Sequence, residues 1–439
     1  MKRTLYKQLK KWKNDAHRKP LLLQGARQVG KTYLVNSFGK NAYSNFVYLN
    51  FEENDELKTL FEGSLSSENI INNISLYFGR KIDSNDTLIF FDEIQDCPSA
   101  LTSLKYFKEQ SPNYHIISAG SLLGVSIGNQ RGFPVGMVNF MTLYPLTFHE
   151  YLCAFGEDLL AEKLSDMDSP GPFPEIIHDK LNNHLKMYLY LGGMPEVLQS
   201  YIDEKDIQKA RYIQLEILEA YQRDFAKYTT ELQAIKTSEL WRSVPIQLAK
   251  ENKKFKYSVV RKKARASTFV HTIEWLKGAG LIHIVNQIKS PKLPLAGYAD
   301  HSKFKLYLHD TGLLGAMLNL TSNMIIKPTK LFAEFNGAFI ENYVASELIA
   351  QNYKELYYWT SKSEAEVDFI LNFENDIYPL EVKSGLNRNL KSLRSYAGKY
   401  KPKMIIRISP RNFIRDQEFV NIPLYSVSTI KKIIALCNT

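Results

Sequence analysis

The sequence predicts an α/β protein: a parallel-sheet domain, then a helical middle, then a second α/β region. Three observations carry this. Residues 21–32 read as a buried strand, a glycine-bounded turn and a helix start. Gly25, Gly30, Lys31 and Thr32 there fill every fixed position of G-x-x-x-x-G-K-[ST], the phosphate-binding P-loop. Apolar runs at 46–51, 87–91, 115–119 and 137–143 alternate with helical stretches, as in a sheet covered on both faces. Strands return after residue 331, beyond a largely helical stretch.

A chain of 439 residues is too long for one ordinary core, so two or three domains are expected. With 44% apolar and 23% charged residues, the composition is that of a globular protein in water. Lys and Arg number 56 against 46 Asp and Glu, a net charge of +10. That excess favours an anionic partner, nucleotide or nucleic acid. Cys97, Cys153 and Cys437 lie far apart and form neither a metal spacing nor a disulfide framework. No apolar run approaches the ~20 residues of a membrane span, and no apolar leader follows Met1-Lys2-Arg3. A reducing cytoplasm is the expected compartment, with no membrane partner.

The first domain is expected over residues 1–150. Residues 4–13 form a helix leading into the strand 20–24. In the turn, Gly25, Ala26, Arg27, Gln28, Val29 and Gly30 would curl their backbone N–H groups around a β-phosphate, aided by the helix N-terminus. Lys31 would neutralise β/γ-phosphate charge, and the Thr32 hydroxyl would hold Mg²⁺. The strand at 87–91 ends in Asp92-Glu93. Downstream of a P-loop, Asp92 would hold Mg²⁺ through water, and Glu93 would orient and deprotonate the attacking water. In isolation such a pair is as often a helix cap. Ser118 or Ser121, at the end of the next strand, would sense the γ-phosphate or cap the helix at 122–125.

Residues 25–32 and 88–93, Gly120-Ser121-Leu122-Leu123 and Tyr144-Pro145-Leu146-Thr147-Phe148 together resemble bacterial and archaeal AAA-type ATPases whose C-terminal half is a domain of unknown function. The resemblance covers nearly the whole chain. It implies a core of the additional-strand, catalytic-glutamate class, with ATP and Mg²⁺ as cofactors. It also implies a homo-oligomer in which an arginine from a neighbour completes the site. Arg131 stands where the family carries glycine-arginine or a variant, here in the order Arg131-Gly132; a solvated loop arginine is the other reading.

A helical lid or linker is expected over residues 151–235 and a winged-helix-like domain over 236–330. The Pro/Gly-rich loop at 169–174 reads as a boundary. Helices follow at about 175–190 and 205–228, broken by Gly192-Gly193-Met194-Pro195, which the resemblance marks as a lid beside the nucleotide. A helix at 238–250 carries apolar Trp241, Val244, Ile246 and Leu248. Residues 250–265 then hold eight Lys/Arg and one acid, Glu251. A helix at 267–278 and a hairpin, 280–285 with 304–308, complete a winged-helix order. The basic run would contact phosphates or form a solvated interdomain face.

Residues 331–439 carry a second constellation. Asp368 lies on one strand, Glu381 and Lys383 lie two apart on the next, and Glu341 lies on a preceding helix. Residues two apart on a strand share a face. Two carboxylates and a lysine there suit a divalent metal and an activated water. The pattern resembles the restriction-endonuclease-like fold. Carried over by position, Asp368 and Glu381 would be metal ligands for Mg²⁺ or Mn²⁺. Lys383 would position the nucleophile, and Glu341 would be an accessory ligand. A salt-bridged sheet face in a domain that does not cut is the alternative. Residues 383–415 hold ten Lys/Arg and no Asp or Glu, with Tyr396, Tyr400 and Phe413 interleaved as core or stacking residues. Sequence-tolerant DNA contact follows from such a stretch. Two functions remain open: an ATPase acting on DNA with metal-dependent cleavage, or a nucleotide switch whose C-terminal domain only binds DNA or protein.

Overall fold

The computed structural model describes residues 1–120, 136–165, 170–250, 253–326, 330–361, 365–385 and 389–438. They fall into two compact units, residues 2–144 with 278–280, and residues 145–277 with 281–439 and Met1.

The first unit is built on five parallel strands: β1 (Leu21–Gln24), β2 (Asn45–Asn50), β3 (Thr87–Asp92), β4 (His115–Ala119) and β5 (Asn139–Thr142). Their order is β2-β3-β4-β1-β5, so β4 is the additional strand between β1 and β3. The register sets Leu21 against Ile117 and Phe90 against the same Ile117. The carboxyl ends of β1 and β3 therefore reach one edge of the sheet. Both faces are covered, which is why Leu21, Leu22 and Leu23 and all of β3 are buried. Leu22, Leu49, Ile89, Phe91 and Ile116 share a core with Leu101, Leu104 and Phe107 of the helix Pro98–Gln110. The helix Leu5–Asn14 adds Leu5, Leu9 and Trp12, one buried residue per turn, and Trp12 Nε1 donates to the Lys19 carbonyl at 2.8 Å.

The second unit opens with helices. Thr147 and Glu150 close a reciprocal capping box at the start of Phe148–Ala154. Glu175–Leu191 follows as expected. The helix expected over 205–228 is Ile207–Tyr228, and a further helix, Pro195–Glu204, precedes it. Asp206 divides them, because its carboxylate accepts from the N–H groups of Gln208 and Lys209 and starts a new helix. The next helix begins at Glu231 rather than 238, capped by the Thr230 hydroxyl. Its Trp241, Val244 and Leu248 are buried, but Ile246 is exposed. The Pro/Gly loop is not a free linker: Phe173 N–H donates to Asn412 Oδ1 at 3.0 Å, and Asn412 Nδ2 returns to the Phe173 carbonyl at 2.7 Å. Residue 169 lies outside the described residues.

Helices Tyr257–Val260 and Ala266–Gly278 precede a hairpin of β6 (Ile282–Ile288) and β7 (Ala299–Leu308). Phe255 N–H donates to the Phe304 carbonyl at 2.8 Å, which adds its segment to the hairpin edge. Three helices, Glu231–Leu248, Tyr257–Val260 and Ala266–Gly278, thus precede the hairpin. The hairpin does not end a domain. β6 pairs in parallel with β8 (Leu356–Thr360), Val285 against Leu356. β9 (Glu366–Phe373), β10 (Asp376–Val382), β11 (Ile405–Ser409), β12 (Ile414–Asp416) and β13 (Phe419–Pro423) continue one mixed sheet, in order β12-β13-β11-β10-β9-β8-β6-β7. The expected boundary at 330/331 thus runs through a single sheet. The edge of β6 away from β7 finds its backbone partners in β8. Tyr396 packs edge-on against Trp359 and beside Tyr400, and Phe413 is buried, so these aromatics belong to the core. Among the described residues no helix is long and apolar enough to cross a membrane.

Candidate functional site

The P-loop lies between the end of β1 and the helix Lys31–Ala42. Gly25 has φ +144°, and a Cβ there would overlap the Leu143 carbonyl oxygen. Gly30, at φ +91°, caps the helix in the left-handed region. Gln28 also has positive φ, +65°, so the turn alternates its peptide planes as a phosphate cradle requires. Ala26 and Val29 are buried and pin the loop from below. Arg27 lies 3.7 Å from Glu52 across the mouth. Lys31 Nζ donates to the carbonyls of Gly25 at 3.0 Å and Ala26 at 2.8 Å. Burial pulls its ammonium down to about 8, although Glu93 and Asp92 oppose this. A phosphate in the cradle would restore full charge.

Thr32 Oγ1 donates to Asp92 Oδ2 at 2.7 Å. Burial raises the Asp92 carboxyl, while the Thr32 hydroxyl pulls it down. A hydroxyl and a carboxylate oxygen already side by side fit Mg²⁺, a hard ion that takes oxygen ligands. When bound, Mg²⁺ would supply charge neutralisation at the phosphates. Glu93 stands at φ +48°, off the strand axis, and Gln95 Nε2 donates to its Oε2 at 2.6 Å. The glutamate is therefore oriented by a neighbour. Ser118 lies in β4 between β1 and β3, buried, and its hydroxyl has no hydrogen-bond partner among the described residues. Ser121 and Arg131, the other expected site residues, lie outside the described residues.

Three contributors escaped the sequence reading. Arg3 Nη1 donates to the Val29 carbonyl at 2.9 Å, and its other nitrogen reaches the Tyr144 carbonyl, so the N-terminal segment braces the P-loop. Tyr48 donates to Asp92 Oδ2 at 3.1 Å, and Asn50 Nδ2 donates to the Tyr48 hydroxyl at 3.2 Å. The polar alternation Tyr48-x-Asn50 at the carboxyl end of a buried strand was a signal for this pair. Arg3 left none, since a basic N-terminus is common.

The C-terminal constellation also assembles, but differently from expectation. The helix Lys330–Ala350 places Glu341 over the sheet. The register of β9 and β10, with Leu380 against Phe369, brings Glu381 opposite Asp368. Asp368 Oδ2 accepts from Val382 N–H at 2.8 Å. Glu381 Oε1 pairs with Lys383 Nζ at 2.6 Å. An unexpected residue stands among them. Lys305 of β7 is wholly buried, 2.6 Å from Glu366, 3.8 Å from Glu341 and 3.9 Å from Asp368. Lys253 pairs with the other Glu341 oxygen. Burial alone would lower Lys305, but Tyr307 and the three carboxylates outweigh it and hold it well above the usual lysine value. Burial, helped by Glu341, pushes Asp368 up to about 7. Among the described residues no group of three His, Cys, Asp or Glu is arranged to hold a metal. Glu341, Asp368 Oδ1 and Glu381 Oε1 face ammonium groups and Asp368 Oδ2 is taken by a backbone N–H, so as they stand these residues do not fit one, although Glu381 Oε2 is buried without a hydrogen-bond partner among the described residues.

Parallel strands in the order above, a P-loop after β1 and an acidic pair after β3 define a P-loop ATPase domain of the AAA type. Residues 17–152 match the AAA domain family. Residues 182–324 and 336–427 match two domains of unknown function, DUF8612 and DUF4143. Uncharacterized proteins of Mycobacterium bovis and Mycobacterium tuberculosis are each 32% identical over 114 residues, 26% of this chain and 25% of theirs. The chain thus spans about a quarter of the length of the curated relatives it matches. Among solved structures, a Walker-type ATPase of Pyrococcus abyssi aligns at TM-score 0.44 and 15% identity, over 71% of this chain and 94% of that one. The ORC1 protein of Aeropyrum pernix, solved with DNA, aligns at 0.30 and 12% identity, over 72% and 90%. AMPPCP-bound DnaA of Aquifex aeolicus aligns at 0.28 and 15%, over 63% and 87%.

Proposed function

We propose that this chain binds and hydrolyses ATP with Mg²⁺ and uses the cycle to switch its hold on DNA, the C-terminal domain acting as a non-cleaving binding module. The hydrolytic half rests on the Thr32–Asp92 contact beside Lys31. Backbone N–H groups of residues 25–30 and Lys31 hold the phosphates. Glu93 takes the proton of the attacking water, and charge developing on the phosphoryl group is met by donors already in place.

The DNA half rests on exposed cations. Lys256, Arg261, Lys262, Lys263 and Arg265 are solvent-facing and lead directly into the helix Ala266–Gly278. Lys391, Arg394, Lys399, Lys401 and Lys403 form a second exposed set on and after the helix Lys391–Tyr400. Such surfaces neutralise phosphates without reading bases. The test is anisotropy of a labelled duplex, with and without a non-hydrolysable ATP analogue, for wild type and Lys31→Ala. A nucleotide effect on affinity that vanishes in Lys31→Ala is expected. Equal affinity in all samples would sink the switch.

One observation favours a second reading, metal-dependent cleavage. Glu381 and Lys383 sit 2.6 Å apart at the end of β10, opposite Asp368, in the order of a nuclease-like site. Nicking of supercoiled plasmid in Mn²⁺ that disappears in Lys383→Ala would establish it in place of the first.

A further inference from the structure

The buried carboxylates of the C-terminal domain come with their own cations. Each oxygen of Glu341 and Asp368 faces a donor or a cation, whereas Glu381 Oε2 is buried without a hydrogen-bond partner among the described residues. Glu341 Oε1 pairs with Lys253, and Oε2 accepts from Tyr307 at 3.0 Å with Lys305 at 3.8 Å. Asp368 Oδ2 accepts from Val382 N–H at 2.8 Å, and Oδ1 faces Lys305 at 3.9 Å. Glu366 closes on Lys305 at 2.6 Å. The Tyr358 ring lies beneath the ammonium, 5.0 Å from its centroid, where its π-face also favours a cation.

Neither lysine belongs to the strands or helix that bear the carboxylates. Lys305 stands in the hairpin strand β7, and Lys253 stands two residues before Phe255, whose N–H pairs with Phe304 of that strand. β7 and the segment bonded to its edge therefore carry both positive charges to the carboxylates of the helix Lys330–Ala350 and β9.

We infer that Lys305 is the resident cation of this cluster: its ammonium fills the place between Glu341, Glu366 and Asp368 that a divalent ion would otherwise take, so the domain folds metal-free and its carboxylates bind no Mg²⁺ or Mn²⁺ while Lys305 is in place. The physics is exclusion. A metal of this kind needs several oxygens at about 2.0–2.6 Å. An ammonium already among those oxygens blocks the approach by volume and by like charge. Buried carboxylates without any cation would be too costly to keep ionised, and Lys305 supplies that cation. The inference deepens the non-cleaving reading of the C-terminal domain and does not depend on ATP hydrolysis.

The test uses the full chain without nucleotide and follows Mn²⁺ by electron paramagnetic resonance, together with thermal melting. Wild type is expected to hold no Mn²⁺ that Asp368→Asn removes, and its melting temperature should not rise with Mn²⁺. Lys305→Ala should melt lower and gain one Mn²⁺ at least tenfold more tightly than wild type, with part of the lost melting temperature restored by the ion. Folded Lys305→Ala that gains no Mn²⁺ would overturn the assignment. So would wild type binding one Mn²⁺ that Asp368→Asn abolishes, and that comparison stands even where Lys305→Ala does not fold. Because no nucleotide or DNA is present, failure here is distinct from failure of the ATP-dependent switch.

Discussion

The Thr32 hydroxyl donates to Asp92 Oδ2 at 2.7 Å, joining the P-loop helix to the end of β3. Sixty residues apart in sequence, they meet because β4 sets β1 and β3 one strand apart in the sheet. Thr32→Val keeps the shape and removes the oxygen. It is expected to leave the fold intact and to abolish the Mg²⁺ dependence of ATP affinity. A titration of fluorescent ATP with and without Mg²⁺ reads this directly; an unchanged Mg²⁺ effect would remove Thr32 from the site.

Glu93 can be separated from binding in the same way. Glu93→Gln keeps the hydrogen-bonding shape beside Gln95 and removes the base. General-base contributions run to ~10²–10⁴-fold, so turnover should fall by that order with ATP affinity unchanged. Phosphate release measured beside nucleotide binding checks both. A turnover loss below about tenfold would move the base elsewhere.

Arg3 braces the P-loop through the Val29 and Tyr144 carbonyls. Arg3→Ala leaves those buried acceptors without their charged donor, a loss on the order of 1–3 kcal/mol. The expected result is a lower melting temperature and a raised KM for ATP, with kcat little changed, since Arg3 touches the loop from behind. A normal KM in a destabilised variant would make Arg3 purely structural.

How much of this was legible in the sequence follows the range of the interactions. The P-loop, the acidic pair and the five strands of the first unit were readable because each lies in a short stretch with a local signature. The helix start at Thr230 was missed because one capping side chain outweighed the apolar periodicity of residues 238–250, and the helix Pro195–Glu204 was missed because Gly192-Gly193-Met194-Pro195 reads as a break. The pairing of β6 with β8 was hidden, since nothing local says which edge a hairpin will offer. Lys305 was hidden for a related reason. It lies 36 residues before Glu341 and 63 before Asp368 in a strand that reads as an ordinary wing, and only the register of the sheet brings it to them.

Glu347 gives the second unit a pH signature. Burial pushes its carboxyl up to about 8, even though Phe148 N–H donates to Oε1 at 2.7 Å. In the unfolded chain the group titrates near the ordinary ~4.3. A folded value raised above the unfolded one stabilises fully below the unfolded value, and the benefit is lost as pH rises through the folded one. Wild type should therefore lose on the order of a few kcal/mol from this group between pH 5 and pH 8. Glu347→Gln, neutral at both, should not. Melting curves of both proteins at the two pH values make the comparison; parallel losses would assign the pH dependence to other groups.

The basic segment before the helix Ala266–Gly278 makes a claim about salt. Arg261, Lys262, Lys263 and Arg265 are exposed, with Arg261 also 2.7 Å from Glu239. A phosphate-contacting cation releases about 0.9 of a counterion on duplex DNA. Replacing the four by alanine should weaken binding similarly for unrelated sequences and reduce the slope of log affinity against log salt by up to about 3–4. Arg261 should contribute least, because its pairing with Glu239 must be exchanged for a phosphate. Anisotropy titrations over a salt series, with two unrelated duplexes, measure slope and sequence tolerance together. An unchanged slope would place the phosphate contacts on the helix Lys391–Tyr400, whose Lys391, Arg394 and Lys399 are the next exposed set. The same titration on alanine variants of those three would then show the missing change.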